Sequence, residues 1–333
     1  MIYEYALEPA LVVNWAIAGI GGVVAQFGLD LRRLVSDFPK DWRGQVYGEL
    51  YRRFEFDDSS LEFQNAQPEL DAYLQILTDR MVPRGRVMGH EAAWLDAALE
   101  EHHRSPFHGI LVSSKPVDAP DCLLIEKDVN NIRNRFWRLP SVGTTAKSAE
   151  EIANVLAPML GMATQIFVID PNFAAEKRRF SESLSAIVKR TLQQPRPVDG
   201  LPKLFLITGI ERAFKGKDNR DTRSENNVAS DIAHKCREHV PKLIPQGLQI
   251  QVVILKNRPD GERLHNRYVL TDVGGASLPF GIDEDNQANG QDTTDDLSPL
   301  HKETFESRWK QYCERKGFDL AHEPFTVNGA GKS

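Results

Sequence analysis

A histidine and an arginine two residues apart are the side chains of this sequence best suited to phosphate chemistry. His265 and Arg267 stand in the segment LHNRYVLTD, and with Asp272 they fit the spacing H-x-[KR]-x4-[DE]. An imidazole can attack phosphorus or carry a proton, and a guanidinium can hold two phosphate oxygens at once. A strand is expected over 263–270, which would place the side chains of His265 and Arg267 on one face. Asp272 has the opposite parity, so we expect it beyond the strand end or after a bulge, in a supporting role.

Helices and strands alternate around this segment and predict the sheet that positions it. Ser148 and Glu151 have the spacing of a capping box at the start of a helix over 147–160. The continuous apolar run QIFVI at 165–169 is typical of a strand covered on both faces. The other predicted elements are strands at 204–208, 248–255, 263–270, 276–282 and 325–327, and helices at 174–192, 226–240 and 299–315. This alternation predicts an α/β domain over 146–333, with a mixed sheet flanked by helices.

The pattern of residues 1–145 predicts a separate domain that is mostly helical and of the α+β class. Its expected helices cover 43–54, 68–80 and 91–102, and its expected short strands cover 109–113 and 122–125. No motif in this half indicates a function, so the role of the domain stays unassigned. The apolar run at 15–29 is too short to span a bilayer, and no Lys or Arg precedes it. We therefore expect a buried helix or turn there, with no transmembrane segment and no signal peptide.

Composition limits the classes of partner and cofactor. The net charge of −6 gives the chain no overall attraction to nucleic acid, although 212–223 and 256–267 are locally basic. Each basic stretch is open to two interpretations, a phosphate-binding patch or solvated loop charges. The three cysteines form no C-x-x-C pair, which predicts neither a zinc site nor disulfides and fits the reducing cytoplasm. No cluster of potential ligands has metal-site spacing, so no metal or other cofactor is expected, and the acidic stretch 283–296 predicts a mobile loop.

The motif around His265 resembles the signature of the phospholipase D superfamily, H-x-K-x4-D. The segment IDPNF at 169–173 is similar to the strand end of bacterial members of that fold. The run LHNRYVLTDVGGASLPFGID at 264–283 resembles a subgroup that reads L-H-D-R, then Asp, Gly-Gly and a Gly-hydrophobic-Asp. That subgroup includes the C-terminal domain of MIT-domain-containing proteins. The resemblance covers about residues 147–327 and implies a phospholipase D-like fold for the C-terminal domain.

The resemblance implies a metal-independent phosphodiesterase, with a nuclease acting on nucleic acid, DNA above all, as the favoured form. His265 would be the nucleophile, Arg267 would neutralise the phosphate, and Asp272 would orient its neighbours. Ser277 would donate a hydrogen bond to the substrate, and Asp170 and Asn172 would line the site from the end of a different strand. Bacterial relatives further imply a role in anti-phage, that is antiviral, defence and partner proteins in a multi-component system.

Two departures from the family pattern leave alternatives open. The family lysine is Arg267 here, and Gly275-Ala276-Ser277 is the nearest match to the family's Gly-Ser-x-Asn element. Catalytic members carry two copies of the motif, whereas this sequence has one. A twofold homodimer could bring two His265 residues together. The alternative is a catalytically silent module that binds nucleic acid, phospholipid headgroups or a partner protein.

Overall fold

The computed structural model describes residues 1–88, 93–129, 131, 133–140, 144–214, 223–284 and 294–331. The chain divides into two compact units. The first unit contains Ile2–Ser141 and Pro195–Asp199, and the second contains Met1, Val142–Gln194 and Gly200–Ser333. The sequence pattern predicts a domain boundary between residues 145 and 146. It gives no sign that 195–199 belongs with the first unit. Residues 215–222 of the first basic stretch and 285–293 of the expected acidic loop lie outside the described residues.

The first unit contains a five-stranded sheet in the order β3-β2-β1-β4-β5, in which every pair is parallel. Its elements are β1 Tyr3–Leu7, α1 Pro9–Ala18, α2 Gly21–Val24, β2 Arg33–Asp37, α3 Trp42–Arg53, α4 Leu61–Leu77, β3 Met81–Pro83, α5 Trp94–Arg104, β4 Gly109–Leu111, β5 Leu123–Leu124 and α6 Glu126–Val129. The central strand β1 lies between β2 and β4. Along the chain, α5 connects β3 on one side of β1 to β4 on the other.

Helices cover both faces of this sheet, because alternate residues of each strand enter two different cores. Leu7 of β1 and Leu111 of β4 pack with α1, α3 and α4. Ala6 and Ile110, their neighbours in sequence, pack with α5. A parallel sheet covered on both faces is an α/β arrangement, so the expected α+β class is wrong. The expected predominance of helix over strand is confirmed.

Charged residues at the strands explain why the pattern of the first unit was missed. Glu4, the second residue of β1, is buried and would break an apolar run. Arg84 donates to its carboxylate from Nη2 at 2.7 Å, and to Glu101 from Nη1 at 2.7 Å. This buried ion pair satisfies a charge that sequence alone assigns to the surface.

The second unit contains a seven-stranded mixed sheet in the order β13-β11-β10-β7-β8-β9-β14. Its elements are β6 Thr144–Ala146, α7 Ala149–Met162, β7 Gln165–Ile169, α8 Arg178–Gln193, β8 Lys203–Gly209, α9 Glu225–His239, β9 Gln249–Lys256, β10 Tyr268–Thr271, β11 Gly274–Ser277, β12 Thr294–Asp296, β13 Ser298–Pro299, α10 Lys302–Arg308 and β14 Asp319–Asn328. The central strands β7, β8 and β9 are parallel, and β10, β11, β13 and β14 each run antiparallel to a neighbour. The expected mixed sheet flanked by helices is confirmed at this level.

Local predictions in the second unit are confirmed in part. The strand at 165–169 has the bounds that its apolar run indicated, and the Ser148 side chain accepts from the Glu151 backbone N–H at 3.3 Å. The strand expected over 263–270 is wrong in its first half, because β10 begins only at Tyr268. The expected strand over 276–282 likewise ends at Ser277, as β11.

The apolar run at 15–29 is buried only in part, because Ile17 is 43% exposed. Trp15, Val23 and Val24 lie in the core of the first unit, on and after α1. Among the residues that the structure describes, no helix is both long enough and apolar enough to cross a bilayer.

Candidate functional site

The edge at which β7, β8 and β9 end carries most of the residues that the motif singles out. These strands are parallel, so their carboxyl ends at Ile169, Gly209 and Lys256 lie along one edge. After β9 the chain returns across this edge, and Leu264 packs its side chain against the backbone of Gly209. Asn257 accepts from the Leu264 backbone N–H through Oδ1 at 2.7 Å. These contacts hold the segment before β10 at the edge instead of in the sheet.

His265 is exposed on this segment, and one hydrogen bond orients its ring. Its Nδ1 lies 2.9 Å from the carbonyl oxygen of Arg263. A carbonyl oxygen only accepts, so Nδ1 carries the proton in the neutral ring and Nε2 keeps its lone pair. An exposed nitrogen lone pair is what a nucleophile or a proton acceptor requires.

Arg267 reaches across the edge to the residue that follows β7. Its Nε lies 3.9 Å from Oδ1 of Asp170, and its Nη1 donates to the carbonyl oxygen of Pro279 at 3.2 Å. The Arg267 side chain is 27% exposed, so part of it remains open to a ligand, although Nε is buried. The structure therefore brings together Arg267 and Asp170, which are distant in sequence.

Asp170 is buried and is held by backbone donors on two segments. It accepts from the backbone N–H of Asn172 at 2.8 Å and from that of Ile282 at 3.2 Å. Burial raises the pKa of Asp170 above its usual range, although these N–H groups and the Arg267 guanidinium favour the ionised form. The carboxylate acts as an anchor for Arg267 and for the chain at 281–282.

Gly281 closes this cluster, and no larger residue fits there. Its φ of +92° is in the left-handed region, and an added Cβ would lie 2.7 Å from Asp170 Oδ2 and 2.9 Å from Asp283 Oδ1. Asp283 in turn lies 3.5 Å from both Lys147 Nζ and Arg179 Nη1. The Gly-hydrophobic-Asp element of the motif thus forms a compact group of opposite charges around Arg267.

Asp272 lies at the other end of β10, far from His265 and Arg267. It follows the end of the strand, and it accepts from the Thr164 backbone N–H at 2.9 Å, the Thr164 hydroxyl at 2.5 Å and the Gln165 N–H at 3.1 Å. Five residues of nearly extended chain separate it from Arg267 by about 16 Å. Asp272 fixes the start of β7 and does not belong to the cluster at the carboxyl edge.

Ser277 and Asn172 lie at the same edge as Arg267 but in different surroundings. Ser277 pairs with Tyr268 across the β10–β11 ladder, so both side chains point to the face on which Tyr268 packs against Tyr312. The Asn172 carbonyl accepts from Arg212 Nη1 at 3.0 Å. Asn172 therefore joins Asp170 to a neighbouring cavity, whereas Ser277 does not contact the Arg267–Asp170 pair.

That cavity has a volume of about 470 Å³ and a mostly basic polar lining. It lies outside the ends of β7 and β8, against α9, and ligand sites of open parallel sheets favour this position. The charged residues of its wall are four basic ones and two acidic ones, Lys177, Arg212, Arg223, Lys235, Glu176 and Asp231. Arg212 was part of a predicted basic stretch, but no motif pointed to the α9 residues.

The second basic stretch is mostly neutralised. Lys256 Nζ lies 2.9 Å from Glu225, and Arg258 Nε lies 2.9 Å from Asp319. Lys256 and Arg258 are thus each in a partly exposed ion pair. This arrangement fits solvated loop charges better than a phosphate-binding patch. In the part of the chain that the structure describes, no group of three His, Cys, Asp or Glu side chains could hold a metal ion, and the three cysteines are free.

The first unit has a cavity of its own, of about 690 Å³. Its wall includes Glu8–Ala10, which follow β1, and Trp94, the first residue of α5. Because α1 and α5 cover opposite faces, this crevice lies where the crossover direction of the sheet changes, the common ligand position in such sheets. The strand order that reveals it could not be read from the sequence.

Comparisons of the chain with models of protein families, with curated proteins and with solved structures find no significant match. The function of the chain therefore has to be inferred from its own residues.

Proposed function

We propose that the second unit is a metal-independent phosphodiesterase of phospholipase D type, a nuclease that acts as a homodimer. The observation that carries this proposal is the hydrogen bond between His265 Nδ1 and the Arg263 carbonyl. It leaves the Nε2 lone pair on an exposed ring, two residues from a partly exposed arginine side chain. The mixed sheet with a parallel centre is compatible with the fold that the motif's resemblance implies.

In the first chemical step, His265 Nε2 forms a bond to phosphorus while the bond from phosphorus to the leaving oxygen breaks. Arg267 binds non-bridging phosphate oxygens, whose negative charge its guanidinium matches. Asp170 positions Arg267 and does not touch the substrate. Water then attacks phosphorus, the P–N bond breaks, and the imidazole is regenerated.

The leaving oxygen needs a proton, and a second histidine is the natural donor. The described edge segments, 170–177, 209–214, 256–267 and 277–284, contain no histidine besides His265. A twofold axis through the edge would supply the His265 of a second copy as the general acid, and later as the base that activates water. A homodimer is therefore part of the proposed mechanism.

The surroundings support nucleic acid, with DNA as the first candidate, as the substrate. On the wall of the 470 Å³ cavity, Lys235 is paired with Glu176 and Asp231, and Arg223 with Asp231. Lys177 and Arg212 are therefore the residues that would accept phosphates that flank the scissile one. The three free cysteines fit a reducing compartment, so we place the enzyme in the cytoplasm. We propose defence against foreign nucleic acid, together with partner proteins, as its setting.

One observation favours a second candidate function, a silent module that binds nucleic acid, phospholipid headgroups or a partner protein. Arg267 already contacts Asp170 and the Pro279 carbonyl, as a structural arginine would. A module of this kind would retain anion binding but would form no bond to phosphorus.

Trapping of the covalent intermediate separates the two candidates. Protein is incubated with labelled single-stranded and duplex oligonucleotides in EDTA, quenched in alkali because phosphohistidine is labile in acid, and analysed by peptide mass spectrometry. We expect an adduct on the peptide that contains His265, and none in His265→Ala. His234→Ala is the matched control, because His234 is an exposed histidine of α9. Cleavage that requires added metal, or an adduct that survives in His265→Ala, would overturn the proposal.

A further inference from the structure

Phe280 is an exposed aromatic residue located directly beside the Arg267–Asp170 pair. The residue is 61% exposed. Single exposed apolar residues are common on protein surfaces, so exposure alone indicates little. The position of Phe280 is more informative, because the next residue is Gly281, which packs against Asp170.

A tight turn presents the Phe280 ring to solvent. The Gly281 N–H donates to the Leu278 carbonyl at 2.9 Å, which puts Pro279 and Phe280 at the two central positions of the turn. The Phe280 N–H contacts Oδ2 of buried Asp295 at 3.4 Å, and the Ile282 N–H is bound by Asp170. These contacts hold the backbone at Phe280 and on its C-terminal side, so a ligand that stacks on the ring orders little additional main chain.

Basic groups flank the ring. Lys147 Nζ lies 5.9 Å from the centroid of Phe280, and Arg267 donates to the carbonyl of Pro279, the preceding residue. A flat apolar surface with cations next to it matches a nucleotide, whose base stacks while its phosphate meets the positive charge.

We propose that Phe280 is a stacking platform for one base of a single-stranded nucleic acid, with the adjacent phosphate on Arg267 and Lys147. This inference rests on the proposed function and specifies its substrate class. A paired duplex hides the faces of its bases, and a phospholipid headgroup has no aromatic face.

Binding is measured by fluorescence anisotropy, with His265→Ala as the background so that no substrate is consumed. The probes are a labelled dT12 strand, an abasic strand of the same length and phosphate number, a blunt duplex, and vesicles that contain anionic lipid. Phe280→Ala removes the platform, and Phe280→Trp keeps it. Phe56→Ala is the matched control, because Phe56 is an exposed aromatic of the first unit.

We expect Phe280→Ala to weaken dT12 binding by roughly 5- to 150-fold, which corresponds to about 1–3 kcal/mol per stacked base. Phe280→Trp and Phe56→Ala should bind dT12 like the background protein, and the abasic strand should be insensitive to Phe280. Equal affinity for dT12 and the abasic strand, unchanged binding in Phe280→Ala, no binding of dT12, or preference for vesicles would each overturn the inference. Phe280-dependent binding without any cleavage by wild-type protein would overturn only the phosphodiesterase proposal.

Discussion

The guanidinium of Arg267 and the carboxylate of Asp170 approach to 3.9 Å across the carboxyl edge of the sheet in the second unit. Arg267 comes from the segment before β10 and Asp170 from the residue after β7, and these two strands are antiparallel neighbours. Their pairing places the start of one strand beside the end of the other. Arg267 is therefore held on one side by a buried anion, while its side chain remains 27% exposed.

Removal of the Asp170 charge should change how stability depends on pH. Burial raises the folded-state pKa of Asp170, so the folded protein binds this proton more tightly than the unfolded chain does. Its ionisation therefore lowers the free energy of unfolding as pH rises from the ordinary Asp range through the raised pKa. Asp170→Asn should remove this decrease, which urea unfolding at pH 4 to 7 would measure. Asp260→Asn, at an exposed turn, is the control, and equal pH profiles for wild type and Asp170→Asn would contradict the prediction.

Substitutions of Arg267 should rank by their ability to hold two phosphate oxygens. Arg267→Ala should lower kcat/KM for a phosphodiester by roughly 100-fold or more, the usual loss for a donor to transition-state charge. Arg267→Lys keeps the charge but not the fork, so we expect an intermediate loss of about tenfold. Initial-rate kinetics measure both. Arg258→Ala serves as the control because Arg258 is ion-paired with Asp319, and wild-type rates in Arg267→Ala would place the phosphate elsewhere.

The sequence located the carboxyl edge well because that information is local. The run at 165–169 is typical of a covered strand and forms β7 with the expected bounds. The phosphate chemistry that we propose for His265 and Arg267 rests on their residue types and spacing. The association of Arg267 with Asp170 is a tertiary contact that the resemblance suggested and that no spacing could supply. Lys147, Arg179 and Phe280 were missed, because each becomes part of the site only through the folding of the chain around Gly281.

The parity of Asp272 correctly placed it beyond the strand end, whereas the role that the resemblance implied for it, orienting His265 and Arg267, does not fit its contacts with Thr164 and Gln165. Asp272 is only seven residues from His265, yet an intervening strand carries it to the opposite edge. In the first unit the error had a different cause. The short strands expected at 109–113 and 122–125 are present as β4 and β5, but β1, β2 and β3 were not expected. Buried Glu4 interrupts the apolar pattern of β1, and β3 has only three residues, too few to establish a periodic pattern.

Asp272 should matter for stability and not for chemistry. Its carboxylate accepts three hydrogen bonds at the start of β7, so Asp272→Ala leaves two backbone N–H groups without this partner. We expect a loss of roughly 2–4 kcal/mol in the free energy of unfolding, with an unchanged kcat per folded molecule. Thermal melts and active-site titration at low temperature test this, and Asp272→Asn should retain part of the stability. Loss of turnover in fully folded Asp272→Ala would show that Asp272 contributes to catalysis.

His108 should make the first unit sensitive to acid. Burial, reinforced by the cation of Arg33, lowers the pKa of His108 from 6.5 to about 4. The unfolded chain therefore binds a proton that the folded chain does not, and stability decreases as pH falls from about 6.5 to about 4, by at most roughly 3 kcal/mol. Tryptophan fluorescence in urea would follow it, because Trp15, Trp42, Trp94 and Trp137 lie in this unit. His108→Phe should flatten the pH dependence of the free energy of unfolding, and His234→Phe should not. Equal free energies of unfolding for the wild-type protein at pH 6.5 and pH 4 would contradict the prediction.

The shared-site mechanism makes the strongest demand on the protein, namely that the active species contains two copies of His265. Attack by one imidazole leaves an oxyanion, and a positioned acid contributes roughly 10²–10⁴-fold to the rate. An isologous contact places each His265 opposite its own copy. A dimer with one His265→Ala subunit therefore lacks one of the two histidines that the shared site needs. When wild type is mixed with His265→Ala and the subunits exchange, activity should follow the square of the wild-type fraction, which gives about one quarter at equal amounts. Mixing with Phe56→Ala should leave activity unchanged. A linear decline, or cleavage by a species that sediments as a monomer, would show that one His265 suffices and that the proton comes from elsewhere.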